Sequence, residues 1–148
     1  MTVLVHATCV ALRSRGRAWR AILLRGPSGA GKSDLALRLI EAGGRLVADD
    51  QTELARHGKV VIASAPGRLA DLIEVRGVGI VALTRAQLAT RAPVALLVDL
   101  ASPERIERLP EPARESLLGI TLPVLALAPF EASAPAKLRL ALVQIANA

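Results

Sequence analysis

A chain of 148 residues, 52% apolar with a mean hydropathy of +0.42, is long enough to bury one real core and is expected to form a single domain over residues 1–148. Its single cysteine, Cys9, excludes an internal disulfide framework and fits a reducing cytoplasm, and no run approaches the roughly 18 apolar residues of a membrane span. The net charge of +6 comes mostly from sixteen Arg against three Lys, scattered apart from Arg13, Arg15, Arg17 and Arg20, and with only Trp19 and Phe130 aromatic no base-stacking surface for a nucleic-acid strand is expected.

Short apolar runs at Val3–Val5, Val10–Leu12 and Ala21–Leu24 read as strands. The apolar start, Val3 to Leu12, has no basic segment before it and carries His6, so a secretory signal is not expected. Ser14–Gly16 is a turn signal, and the first strands should form a hairpin leading into a glycine-rich loop. Ser33–Glu41 follows with helical spacing: Leu35, Leu39 and Ile40 are apolar, and Asp34, Arg38 and Glu41 are charged. Leu46–Ala48 reads as a strand ending in Asp49-Asp50. Arg56-His57-Gly58-Lys59 reads as a hairpin turn with His57 at the surface, and Val60–Ala63 as the next strand. Helical patterning is read over Gly67–Ile73. Ile80–Leu83, Val94–Leu100 and Val124–Leu127 read as strands. Pro103–Arg108, Glu111–Leu118 and Ala134–Ile145 read as helices, with start signals at Ser102-Pro103 and Ser133. The sum is an α/β fold, a mixed β-sheet with flanking helices.

The loop Gly26-Pro27-Ser28-Gly29-Ala30-Gly31-Lys32-Ser33 fits G-x-x-x-x-G-K-[ST] between a strand and a helix. Its glycines let the backbone turn its N–H groups inward, and those groups with the helix N-terminus cradle phosphate oxygens. Lys32 would reach the β- and γ-phosphates, and the Ser33 hydroxyl would ligate Mg²⁺. Such a loop needs a partner carboxylate. Asp99, ending the run Val94–Val98, is the ordinary Walker B choice. Asp49-Asp50 is the other, and neighbouring side chains of an extended segment point oppositely, so one acid could face a metal and the other an acceptor. Glu74-Val75-Arg76-Gly77-Val78-Gly79-Ile80 sets two glycines beside a Glu/Arg pair and suggests close backbone approach to a ligand.

Together, the His6-containing first strand, Gly26–Ser33, Arg45–Asp50, Ala65-Pro66 with Leu72–Ile80, and Ile106-Glu107-Arg108-Leu109 resemble the C-terminal catalytic domain of HPr kinase/phosphorylase, in family order and near-family spacing. The resemblance implies a P-loop fold related to phosphoenolpyruvate carboxykinase. It implies ATP- and Mg²⁺-dependent phosphorylation of a serine on HPr or a similar phosphocarrier of the phosphotransferase system. By the same resemblance His6, Lys32, Asp49, Asp50, Arg76 and Arg108 are expected to be catalytic, with Asp50 as proton acceptor supported by His6. Residues Gly26 to Ser33 should bind the nucleotide, and Ser33, Asp50 and Glu74 the metal.

Departures from the family carry their own expectations. The separate N-terminal domain of long members has no counterpart in this chain, and the segment between Gly79 and Pro93 is short. The Gly-Arg-Asn element tied to dephosphorylation is missing from Leu122–Glu131, so little phosphorylase activity is expected and a homo-oligomer stays open. The size and the ending Leu127–Arg139 resemble the short alpha-proteobacterial forms. Two other readings stay open at this level. One is a P-loop kinase or NTPase with a small-molecule acceptor, in which Asp99 would carry the metal; the other is a non-catalytic ATP-binding regulator.

Overall fold

The computed structural model describes residues 2–14, 16–67 and 71–147. Its strands are β1 (Thr2–Val5), β2 (Ala7–Leu12), β3 (Arg20–Arg25), β4 (Arg45–Ala48), β5 (Thr52–His57), β6 (Val60–Ser64), β7 (Leu72–Val75), β8 (Gly79–Ala82), β9 (Arg91–Leu100), β10 (Ala113–Leu117) and β11 (Ile120–Leu127). The helices are α1 (Lys32–Glu41) and α2 (Ala134–Asn147). Nine strands form one sheet in the order β1-β5-β6-β9-β3-β2-β4, with β11 added to β9 and β10 to β11, while β7 and β8 make a separate ribbon.

The ten-residue β9 is the hub. Its start, Arg91–Pro93, pairs antiparallel with β6, and its second half, Leu97–Leu100, pairs parallel with β11. Along its other edge it runs parallel to β3. Both faces of the central strands are buried, which is why β2 and β3 read as continuous apolar runs. Side chains alternate between faces. Ile22 and Leu24 join Val10, Leu96 and Val98 against Leu35, Leu39 and Ile40 of α1 and Leu138 of α2. Ala21 and Leu23 face the other way, onto Cys9, Val47, Leu54, Val61 and Ala63. Leu35, Ala36, Leu39 and Ile40 share one stripe of α1, as their spacing requires. That helix ends where Gly43 takes φ 100°, and Gly44 N–H donates to Leu39 O at 2.8 Å, a left-handed closure that glycine makes without a Cβ penalty.

Cys9 is fully buried, and burial pushes its thiol far above the ordinary range. The expected result is no reaction with a thiol-specific reagent in native buffer and full reaction in denaturant. Rapid native labelling would contradict this packing.

The eight strands read from the sequence are present, with ends shifted by a few residues. Three strands were not legible. β5 alternates Thr52 and Leu54 inward with Glu53 outward, but its charges mask the run. The segment Gly67–Ile73, read as helical, is a strand where it is described at Leu72-Ile73, and residues 68–70 lie outside the described residues. Glu111–Leu118 is likewise not a helix. Ala113–Leu117 is β10, folded antiparallel onto β11 with Leu117 opposite Ile120. The two-residue turn Leu118-Gly119 has φ 52° and 81°, both positive, as a tight hairpin turn of matching twist demands. Pairing with β11 overrides the weak helical spacing there. Pro103–Arg108 contracts to one 3-10 turn over Pro103–Arg105.

Candidate functional site

β3 and β4 end on one side of the sheet, where α1 begins. Between their ends lies a cleft of about 450 Å³ lined by Ser28, Gly29, Gly31, Lys32, Ser33, Asp34, Leu37, Asp49, Asp50, Glu74, Val75, Arg76 and Phe130. The loop from Gly26 to Ser33 wraps its floor. Gly31 precedes α1 at φ 105°, a left-handed conformation that favours glycine, and a Cβ built there would sit 2.8 Å from the Phe130 ring, which lies against the loop. Lys32 is 5% exposed and donates from Nζ to Gly26 O at 2.6 Å and Pro27 O at 3.0 Å. Those bonds hold its ammonium inside the curl of the loop.

The acid pair divides its roles by geometry. The Ser33 hydroxyl donates to Asp49 Oδ1 at 2.7 Å, and Glu74 N–H approaches Asp49 Oδ2 at 3.3 Å. Asp50 turns the other way, toward solvent, where His6 Nε2–H donates to its Oδ1 at 2.7 Å. Asp50 has φ 65°, and Gln51 N–H donates back across it to Asp49 O at 2.7 Å. A positive φ spanned by an i to i+2 bond is a strained backbone that its surroundings must hold.

Thr8 does much of that holding, and no sequence motif announces it. It is fully buried on β2, donates from Oγ1 to Asp49 Oδ1 at 3.1 Å and accepts from Asp50 N–H at 3.0 Å. A polar residue within an otherwise apolar strand, two positions after His6, was the available signal. Thr8→Val keeps the shape and strands the Asp50 N–H, a loss of about 1–3 kcal/mol. We expect a lower denaturant midpoint together with slower turnover, both restored by Thr8→Ser. Unchanged midpoint and turnover in Thr8→Val would refute this role.

Asp99 is committed elsewhere. Arg25, the last residue of β3, forks onto Asp99 at 2.8 and 3.1 Å and onto Glu115 of β10 at 2.6 and 2.9 Å. Hydrogen bonding to the Arg25 guanidinium, with its charge, holds the Glu115 carboxyl below the usual carboxylate range. Arg76 lines the cleft beside Glu74. Arg108 does not line it; it is exposed on the chain between the Pro103–Arg105 turn and β10. His57 is exposed at the end of β5, as read from the sequence.

No group of three or more His, Cys, Asp or Glu side chains gathers as a metal cage among the described residues. The donor set of Ser33 hydroxyl and Asp49 carboxylate, with Glu74 in the same cleft, is all hard oxygen. That suits Mg²⁺, which binds through one or two carboxylates plus phosphate and water rather than through a protein cage. An inward-facing lysine on a glycine loop suits a polyphosphate.

The family model described as HPr Serine kinase C-terminal domain matches residues 2–135. An HPr kinase/phosphorylase from Geobacillus sp. (strain WCH70) is 36% identical over 104 residues, 67% of this chain and 32% of that protein. Another from Exiguobacterium sp. (strain ATCC BAA-1283 / AT1b) is 46% identical over 61 residues, 40% of this chain and 20% of that protein. The chain thus spans about a third or less of these curated relatives. The solved structure of the HPr(Ser) kinase/phosphatase from Coxiella burnetii superposes with a TM-score of 0.84 at 23% identity, covering 98% of this chain and 93% of that one. The shared fold extends to the curled mixed sheet and both helices.

Proposed function

Because the chain belongs to the HPr Serine kinase C-terminal domain family, we propose that it is an ATP- and Mg²⁺-dependent protein-serine kinase acting on HPr or a related phosphocarrier of the phosphotransferase system. The observation that carries this reading is the split of the acid pair. Asp49 is tied to Ser33 at the phosphate loop, while Asp50 is tied to His6 and faces solvent at the mouth of the same cleft. A second carboxylate facing solvent beside the phosphate loop is placed to accept a proton from an incoming hydroxyl, and the family membership supplies a protein serine as that hydroxyl.

The division of labour follows. Loop N–H groups and Lys32 hold the phosphates and place positive charge where the transferring phosphoryl group develops it. Ser33, Asp49 and Glu74 would hold Mg²⁺, which when bound supplies charge neutralisation on the phosphates. Asp50 accepts the proton of the attacking serine, and the His6 N–H keeps its carboxylate aimed outward. Arg76 adds positive charge at the cleft wall. This assignment moves the expected metal contact of the acid pair from Asp50 to Asp49. Arg108, exposed and not among the cleft-lining residues, is assigned no step here. A cytoplasmic location goes with this reading.

The test is direct. Purified chain, Mg-ATP and HPr from the same organism should give a carrier heavier by one phosphate on a serine. ATP hydrolysis with the carrier unmodified would sink the proposal. We also expect little of the reverse reaction, because Leu122–Glu131 carries no basic side chain to seat inorganic phosphate. Seryl-phosphorylated carrier incubated with enzyme, Mg²⁺ and phosphate should release little pyrophosphate; release at the forward rate would overturn that expectation.

A further inference from the structure

The phosphate cleft is lined mostly by charged, hydroxyl-bearing and glycine residues, with Leu37, Val75 and Phe130 as its apolar members. On the far side of the phosphate loop from the acid pair lies a groove of about 460 Å³, within the roughly 300–1,000 Å³ of small-ligand sites. Its walls are the outer side of the loop (Pro27, Ala30), the chain leaving β9 (Leu100, Ala101) and the chain leaving β11 (Pro129, Phe130). β3, β9 and β11 are parallel neighbours ending together here, and in open α/β sheets ligands occupy the crevice beyond such strand ends.

Phe130 borders both the groove and the phosphate cleft. It is the only phenylalanine of the chain, and it is 69% exposed. Its position is nevertheless constrained. One edge of the ring lies on Gly31 of the loop. Arg38 of α1 donates to the carbonyls of Pro129 and Glu131, on either side of Phe130, and Asp34 holds Arg38 at 2.9 Å. Ala101 N–H donates to Leu127 O at 2.9 Å, joining the two strand-end loops that wall the groove. An aromatic ring held at its edge with a face free, next to apolar walls and a phosphate cradle, is a stacking platform.

We infer that this groove takes the purine base of the bound nucleotide, with the free face of Phe130 stacked on it. The inference rests on the proposed use of ATP, and binding measured without any carrier protein separates the two. The intact chain is titrated calorimetrically with Mg-ATP and with Mg-tripolyphosphate, which has no base. Phe130→Ala should weaken Mg-ATP binding by about tenfold or more, the size of one lost base–aromatic stack, and weaken Mg-tripolyphosphate binding far less. Ser102→Trp, an exposed position on the groove rim, should cause the same selective loss by filling the groove, and it carries the test if Phe130→Ala fails to fold. Equal losses for both ligands, or none for either, would overturn the subsite while leaving the kinase reading intact. A wild-type chain that binds neither ligand would remove both.

Discussion

Lys32→Ala should abolish phosphoryl transfer to the carrier and leave the chain folded. Among the described residues Lys32 Nζ bonds the Gly26 and Pro27 carbonyls, so its removal frees two loop oxygens beside the cleft, and Lys32 belongs to neither core cluster. The functional loss is of another order. A preorganised positive group at a developing phosphoryl charge is commonly worth about 3–4 kcal/mol, or about 10²–10³ in rate. The measurement is carrier mass after incubation with Mg-ATP, with circular dichroism to verify the fold. Wild-type turnover in a folded Lys32→Ala chain would mean that the loop does not hold the transferring phosphate.

Asp50→Asn should cut turnover by about 10²–10⁴-fold, the usual size of general-base catalysis, with Mg-ATP affinity nearly unchanged. Its carboxylate contacts His6 rather than the loop, so removing its charge touches the acceptor side of the site alone. Asp99→Asn should behave oppositely. Asp99 shares Arg25 with Glu115 across the base of the loop, and its side chain is half exposed, so the cost is on the order of 1 kcal/mol of stability with turnover largely kept. If Asp99→Asn is inactive and Asp50→Asn active, the ordinary Walker B reading replaces the one proposed here.

That contrast separates what is local from what is not. The strand, glycine loop and helix at Arg20–Glu41 were legible because each depends on near neighbours. An apolar run, glycines able to take positive φ and a stripe repeating every three or four residues leave few alternatives for the backbone. The pair Asp49-Asp50 was visible for the same reason, as two acids at the end of an apolar strand. Strand order is not local. β4 lies beside β2, not beside β9, and this brings Asp49 to Ser33 while Arg25 takes Asp99. Two strand-terminal aspartates of equal standing in the sequence were distinguished only by which neighbour the folded sheet gave each.

The same holds for the residues that were missed or misplaced. Thr8 meets the acid pair across more than forty positions of chain, and β10 took its conformation from β11, not from its own spacing. Arg108 matched a family motif, and it stands exposed on a loop whose side chains do not line the cleft. Phe130 could be read only as one aromatic among few until α1 and the ends of β9 and β11 set a groove beside it. The amino-acid sequence by itself determined the phosphate loop, the acid pair and the α/β class, because turn chemistry and hydrophobic period act over a few residues. The tertiary structure alone decided which acid faces the loop, which faces solvent, and what braces them, because those contacts arise from strand pairings that no short window of sequence contains.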